Sequence, residues 1–239
     1  ADDVAAITLF PGCIARVLDR DTLSAARTLL EALGHRVHVP EAAVCCGAMP
    51  RHAGEAALAA AVEARTRTAL LARPSTRTLS CASGCLDGLR RHVLDGTGLT
   101  VEDIATFIAR DPGIAGLRFR PFVARVALHV PCTQASLGDG GRATRALLAR
   151  IPGLELEILP VQPRCCGAAG TYFIDHPEPA DRLRAQTLEH VQASAAQLLL
   201  TSNTGCRAFL DNGLRRRTTP IPVLHPLALL ARQLETAEP

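Results

Sequence analysis

A doubled cysteine occurs twice in this chain. Cys45-Cys46-Gly47 returns 120 residues later as Cys165-Cys166-Gly167. Each doublet belongs to a longer array: Cys13, Cys45, Cys46, Cys81 and Cys85 in the first half, Cys132, Cys165, Cys166 and Cys206 in the second. The two arrays use all nine cysteines, so none remains for ordinary core packing. Matching arrays spread over such long gaps demand a fold that brings distant loops to one place.

The stretches between the cysteines say which fold that is. Ile7-Thr8-Leu9-Phe10 closes an apolar run from Ala5 and leads through Pro11-Gly12 into Cys13, which predicts a buried strand with Cys13 at its carboxyl end. Leu23, Ala26, Leu29, Leu30 and Leu33 share one helical face over 21–33, with Gly34 as a C-terminal cap. The segment 36–40 predicts a second strand, whose following loop carries Cys45 and Cys46. An Ala-rich helix is expected over 54–73, and a third strand over 78–81 delivers Cys81 and Cys85. A helix begins near Gly84, and another over 101–108, capped by Thr100, closes the half. The Gly- and Pro-rich stretch 111–121 reads as a linker.

The pattern then restarts. Strands are expected over 123–130, 154–159 and 198–201, ahead of Cys132, the second doublet and Cys206; helices are expected over 141–151, 179–197, after Cys206, and over 226–234. Cys13 maps onto Cys132 at an offset of 119, the doublets at 120, and Cys85 onto Cys206 at 121. So small a drift indicates an internal duplication. Strand–helix alternation in each half predicts an α/β fold of two duplicated units with parallel sheets, 1–115 and 122–239. Ligand sites on such sheets form beyond the carboxyl ends of the strands, where every one of these cysteines is expected, beside helix N-termini that favour thiolate.

Composition narrows the chemistry. The 239 residues are 48% hydrophobic, enough for a packed core. There is no Lys, the net charge is only +3, and aromatic residues are 3%, a poor match to a nucleic-acid surface. No run of 18 apolar residues reads as a transmembrane segment, and the acidic Ala1-Asp2-Asp3 start does not read as a signal peptide. The expectation is a cytoplasmic protein, peripheral at the inner face of the membrane only through its partners. In a reducing compartment, an odd cysteine count argues against a disulfide framework.

Zinc and iron–sulfur chemistry then compete. Zinc takes four thiolates, and the second array has four, but zinc sites commonly use two short Cys-x-x-Cys knuckles rather than a vicinal pair with long gaps. Thiolates also hold iron–sulfur clusters, and the five cysteines of the first array exceed the needs of one ion or one cubane.

These residues carry a resemblance. Cys13, then Cys45-Cys46-Gly47, then Cys81 and Cys85, with the repeat in the second half, resembles the cysteine-rich CCG domain family, over nearly the whole chain. Within that family it is most similar to the paired C-terminal domains of glycolate oxidase iron–sulfur subunits, related to the cysteine-rich subunit of heterodisulfide reductases and to lactate-utilisation proteins. Supporting stretches are Gly167-Ala168-Ala169-Gly170-Thr171-Tyr172, Ser202-Asn203-Thr204-Gly205-Cys206 and Val223-Leu224-His225-Pro226. The resemblance implies an iron–sulfur electron-transfer subunit of a flavin-dependent glycolate- or lactate-type oxidoreductase. A disulfide-cleaving subunit and a zinc-stabilised interaction module are the alternatives. It implies a 4Fe–4S-type cluster on Cys13, Cys45, Cys46, Cys81 and Cys85, of non-cubane form, and a second group on Cys132, Cys165, Cys166 and Cys206, where a cubane cluster or zinc also fits. Implied partners are a flavoprotein dehydrogenase subunit, a further iron–sulfur or ferredoxin-type subunit, and a quinone or other carrier.

The chain departs from the family pattern in three ways. Cys81 and Cys85 are spaced one residue too far apart. In the second array Ser202 or Asn203 stands where the first cysteine of the final pair belongs. The ferredoxin-type domain that precedes these domains in the glycolate oxidase subunit is absent from this sequence. The unequal arrays lead to the expectation that the halves bind different groups. Arg164, His129, His225 and Tyr172 are candidates for tuning a cluster. Arg215-Arg216-Arg217 reads as a solvated surface, and Gly138-Asp139-Gly140-Gly141 as a turn.

Overall fold

The computed structural model describes residues 6–42, 44–73, 75, 77–160 and 165–235. Arg164 lies outside them. The first half runs β1 (Ile7–Phe10), α1 (Ala15–Leu18), α2 (Arg20–Ala32), β2 (Val37–His38), α3 (Ala48–His52), α4 (Ala56–Leu71) and β3 (Arg77–Ser80). A 3-10 turn (Ser83–Cys85), α5 (Leu86–Gly88) and a π-helical turn (Leu89–Val93) follow, then β4 (Thr100–Asp103) and α6 (Ile104–Arg110). The second half runs β5 (Ala124–His129), α7 (Cys132–Leu137), α8 (Arg142–Leu148), β6 (Leu154–Ile158), α9 (Tyr172–Asp175), α10 (Pro177–Ala193), β7 (Leu198–Thr201), α11 (Thr204–Arg215), β8 (Val223–Leu224) and α12 (Pro226–Gln233).

Both halves form a four-stranded parallel sheet with the same strand order, β2-β1-β3-β4 and β6-β5-β7-β8. The apolar runs become the central strands because both faces of a parallel sheet are covered. Leu9, Leu79, Leu128 and Leu200 are all buried.

The stretch 101–108 is not a single helix. Thr100–Asp103 is an edge strand against β3, and the helix starts only at Ile104. The cap is therefore Asp103, not Thr100: its carboxylate accepts the Thr106 N–H at 3.1 Å. A four-residue edge strand needs only backbone partners, so its mixed composition carries no strand signal. The stretch 111–121 is also more ordered than a linker. It holds a 3-10 turn (Pro112–Gly116), and Phe119 is buried and bridges to Leu234.

The halves share one core. Ile7, Leu9 and Leu79 lie in the same buried cluster as Val126, Leu128 and Leu200. Helix α2 packs on α12, and α6 packs on α8. Since α8 is the counterpart of α2, and α12 that of α6, each half lends the other the same pair of faces.

Candidate metal centre

Every cysteine lies beyond the carboxyl end of a strand. Cys13 follows β1, the first doublet follows β2, and Cys81 and Cys85 follow β3; Cys132, the second doublet and Cys206 follow β5, β6 and β7. Four of these places are also where a helix begins. Cys132 opens α7, Cys206 lies in the first turn of α11, Cys85 precedes α5, and Gly47 links the first doublet to α3.

The doublets are held from below. Thr66 on α4 grips both ends of the Cys45 peptide: its hydroxyl accepts from Cys45 N and donates to Cys45 O, each at 2.9 Å. Gly47 and Gly167 have φ of +78° and +92°, a backbone conformation that glycine alone adopts freely. A side chain at Gly47 would strike Glu63, whose carboxylate is fixed by two 2.8 Å contacts from Arg51 Nη2. A side chain at Gly167 would strike the carbonyl oxygen of Ala180. In the first half, the absence of a Cβ at Gly88 lets α5 close against the Cys46 carbonyl.

The sulfurs follow the same course in both halves. Cys45 Sγ lies 3.5 Å from Cys13 Sγ and also contacts Cys46, which in turn contacts Cys85. In the second half Cys165 contacts Cys132 and Cys166, and Cys166 contacts Cys206. The first cysteine of each doublet is the acceptor. Hydrogen bonds from its two thiol neighbours hold Cys45 far below the ordinary thiol range, and the Gly47 N–H adds to this at 3.5 Å. Cys165 is lowered in the same way, with the Gly167 N–H at 3.4 Å. The neighbours are pushed up, Cys13 by its hydrogen bond to Cys45 and by burial, Cys132 by the equivalent bond to Cys165 and by burial. Each array thus favours a thiolate at the first cysteine of its doublet.

Both arrays open onto one cavity of about 960 Å³, and all nine cysteines border it. Its lining also includes Ile14, Met49, His52, Tyr172 and His176, of which only Tyr172 stood out in the sequence. Tyr172 stacks on His176 with ring centres 4.9 Å apart. The two histidines sit six and ten residues beyond their doublets, with no shared spacing that would mark them.

The candidate tuning residues sort differently. His129 Nδ1 lies 2.9 Å from the Thr201 hydroxyl, and burial lowers its pKa to about 4. His225 turns to the backbone instead of to sulfur. Its Nδ1 accepts the Leu227 N–H at 3.1 Å, so its Nε2 carries the proton and donates to the Cys81 carbonyl at 2.9 Å. Arg215 pairs with Asp211 on an exposed face, and Asp139 closes the 138–141 turn by accepting from Gly141 and Ala143.

The donor chemistry fits a thiolate-bound group: four sulfurs linked pair by pair in each half, with no carboxylate or imidazole among those links. They run in a chain of pairs rather than converging on a point. Among the described residues, no three Cys, His, Asp or Glu side chains are grouped as a single ion demands. Among those residues, too, no helix is long and apolar enough to cross a membrane.

The sequence model of the CCG cysteine-rich domain matches the chain twice, over residues 7–90 and 126–211. The chain is 29% identical to a subunit of the fumarate reductase (CoM/CoB) of Methanothermobacter marburgensis, across 94% of this chain and 45% of that protein. It is 24% identical to the lactate utilization protein A of Oceanobacillus iheyensis, across 94% of this chain and 96% of that one. It is 27% identical to the glycolate oxidase iron-sulfur subunit of Escherichia coli, across 87% of this chain and 54% of that one. The chain therefore spans about half the length of the first and third of these relatives and nearly all of the second.

Proposed function

The chain belongs to the cysteine-rich CCG domain family, carried in two copies, and from that premise we propose that it is the iron–sulfur subunit of a 2-hydroxy acid oxidoreductase acting on a glycolate- or lactate-like substrate. The observation that carries this reading is the pair of sulfur sets bordering one cavity at the carboxyl ends of two parallel sheets. The names of two relatives, an iron–sulfur subunit of glycolate oxidase and a lactate utilization protein, support it. The two CCG units are taken as 1–115 and 122–239.

In this reading the group is held by thiolates drawn from Cys13, Cys45, Cys46, Cys81 and Cys85 in one half, and from Cys132, Cys165, Cys166 and Cys206 in the other. A thiolate-bound iron–sulfur group supplies electron transfer at a potential set by burial, nearby charge and hydrogen bonds to sulfur. The chain provides each of these. Gly47 and Gly167 aim N–H groups at the doublet sulfurs, Arg65 places positive charge near Cys45, and the apolar packing around Cys46 and Cys166 keeps water out. A flavoprotein dehydrogenase subunit is the proposed electron donor. A further iron–sulfur or ferredoxin-type subunit and a quinone or other carrier are the proposed acceptors.

The cavity favours a second reading. Its volume accommodates a small substrate between the arrays, as a reductase that cleaves a disulfide requires. Anaerobic purification with iron, sulfide and zinc analysis tests the shared premise. Zinc without acid-labile sulfide would overturn both readings and leave a metal-stabilised interaction module. Disulfide reduction by the isolated chain would favour the second reading, and co-purification with a flavoprotein the first.

A further inference from the structure

We infer that Cys81 binds no metal or cluster, and that the two halves carry like centres of four cysteines each: Cys13, Cys45, Cys46 and Cys85, and Cys132, Cys165, Cys166 and Cys206. The inference takes the kind of group from the iron–sulfur reading above, but the set of ligands stands apart from it. It reverses the expectation that five cysteines against four make the halves chemically unequal.

The first support is the course of the sulfurs. In each half the chain of contacts runs from the single cysteine through the doublet to the last cysteine, and ends there. Cys81 Sγ hydrogen-bonds to no other sulfur among the described residues.

The second support is packing. Cys46 and Cys85 belong to one apolar cluster with Phe10, Leu86 and Leu89. Cys166 and Cys206 belong to the equivalent cluster of the second half with Leu159, Leu199 and Leu210. Cys81 belongs to neither. It is 4% exposed and packs in the core between the halves, with Leu9, Leu79 and Leu128. It therefore borders the cavity from the side of the inter-half core.

The third support is its counterpart. Aligning Cys85 with Cys206 places Cys81 against Ser202, each the first residue after its strand. Both positions do the same work across the halves. The Cys81 carbonyl accepts from His225 Nε2 at 2.9 Å, and the Ser202 carbonyl accepts from Ser83 N at 3.4 Å. The Ser202 hydroxyl is occupied as well, donating to Gln134 Oε1 at 2.7 Å. The position joins the halves, and the side chain it carries is free to be thiol or hydroxyl. The wide spacing from Cys81 to Cys85 follows from this. Cys81 stays at the strand end, and a 3-10 turn closed by Cys85 N to Ala82 O at 3.0 Å carries Cys85 to the doublet.

The test is metal content per chain in anaerobically prepared protein, with electron paramagnetic resonance of the reduced form, for the parent and for Cys81→Ser, Cys81→Ala and Cys85→Ser. Cys81→Ala keeps the site apolar where a buried hydroxyl destabilises the core. Both Cys81 variants are expected to retain the parent's metal and spectrum, whereas Cys85→Ser loses about half of the metal, one centre of two. A loss or spectral change in Cys81→Ala comparable to that of Cys85→Ser would overturn the inference. Ser202→Cys gives a second measurement that leaves Cys81 in place. It is expected to leave metal and spectrum unchanged, and a new signal from a fifth thiolate would also overturn the inference. If the parent holds zinc and no sulfide, the iron–sulfur reading fails, while the ligand set is still read from zinc per chain. If the parent binds no metal, both fall.

Discussion

His225 in the second half donates its Nε2–H to the carbonyl oxygen of Cys81 in the first, 144 residues away, at 2.9 Å. The same ring caps α12 through Nδ1, so one neutral imidazole serves as both helix cap and strut between the halves. Burial lowers its pKa to about 4.

A histidine whose folded pKa is depressed costs nothing above its unfolded value and destabilises the fold as pH falls from about 6.5 towards 4. His225→Asn keeps an oxygen for the cap but does not titrate. Above pH 7 the variant is expected to be the less stable by ~1–2 kcal/mol, for the lost strut. Between pH 6.5 and pH 4 the parent loses its advantage, by up to ~3 kcal/mol. Urea titrations of parent and variant across that range check this; a gap independent of pH would contradict it.

Asp103 has the matching role in the first half, as the cap of α6 at the end of the fourth strand. Burial raises its pKa to about 6. For a carboxyl group the sign is opposite. The fold bears no penalty below pH 3.8 and loses stability as pH rises from there through 6. Asp103→Asn retains the cap without the charge. It is expected to be more stable than the parent at pH 7 by ~1–3 kcal/mol, with the difference closing near pH 4, as denaturant titrations at the two pH values would show.

Gly47→Ala and Gly167→Ala both force a positive φ on a residue with a Cβ, at a cost of ~1–3 kcal/mol each. Gly167→Ala is expected to be the worse. Its obstacle is the Ala180 backbone, whereas the Glu63 side chain facing Gly47 can move if Arg51 releases it. Melting temperatures of the two variants give the order, and metal retention by each half reports whether its doublet has shifted.

Asp19 is a buried carboxylate, 3% exposed, that binds across the halves. It accepts from Thr22 at 2.5 Å and from Thr204 at 3.1 Å, and its Oδ1 lies 3.2 Å from Arg207 Nε. Arg207→Ala leaves that charge without its cation and is expected to cost ~3–5 kcal/mol. Asp19→Asn combined with Arg207→Ala is expected to cost less than the two single changes added, which a double-mutant cycle by denaturation measures.

Much of the site was readable from spacing. Leu9, Leu79, Leu128 and Leu200 lie in apolar runs that announce buried strands, and the cysteines behind those runs had to meet at the strand ends. Edge strands were not readable. In Thr100–Asp103 only Val101 is apolar; Glu102 is buried by pairing with Arg77 and Arg110, and Asp103 caps α6, so the buried strand carries no apolar run. The start of α7 at Cys132 was hidden for a related reason: Cys-Thr-Gln-Ala has no helical face of its own, and tertiary packing decides it. The meeting of both arrays in one cavity depends on how α2 meets α12 and α6 meets α8. Those faces are Leu, Ala, Ile and Phe side chains of the kind any amphipathic helix would show. The hydrogen bond between His225 and Cys81 needs the same placement, and the histidine's place in the chain gives no hint of its target.

That exchange of helices has a consequence for ancestry. One unit alone would leave the outer faces of its second and sixth helices bare, and would present only half of a cavity wall. Two identical units about a two-fold axis would cover both faces with each other's equivalents, α2 on the partner's α6 and the reverse, which is the self-complementary contact of a symmetric dimer. The present chain has the helix pairing of such a homodimer with its subunits fused end to end, and its cavity is walled by both units. Once fused, the two copies were free to diverge residue by residue, so that a cysteine in one faces the heritage of a serine in the other.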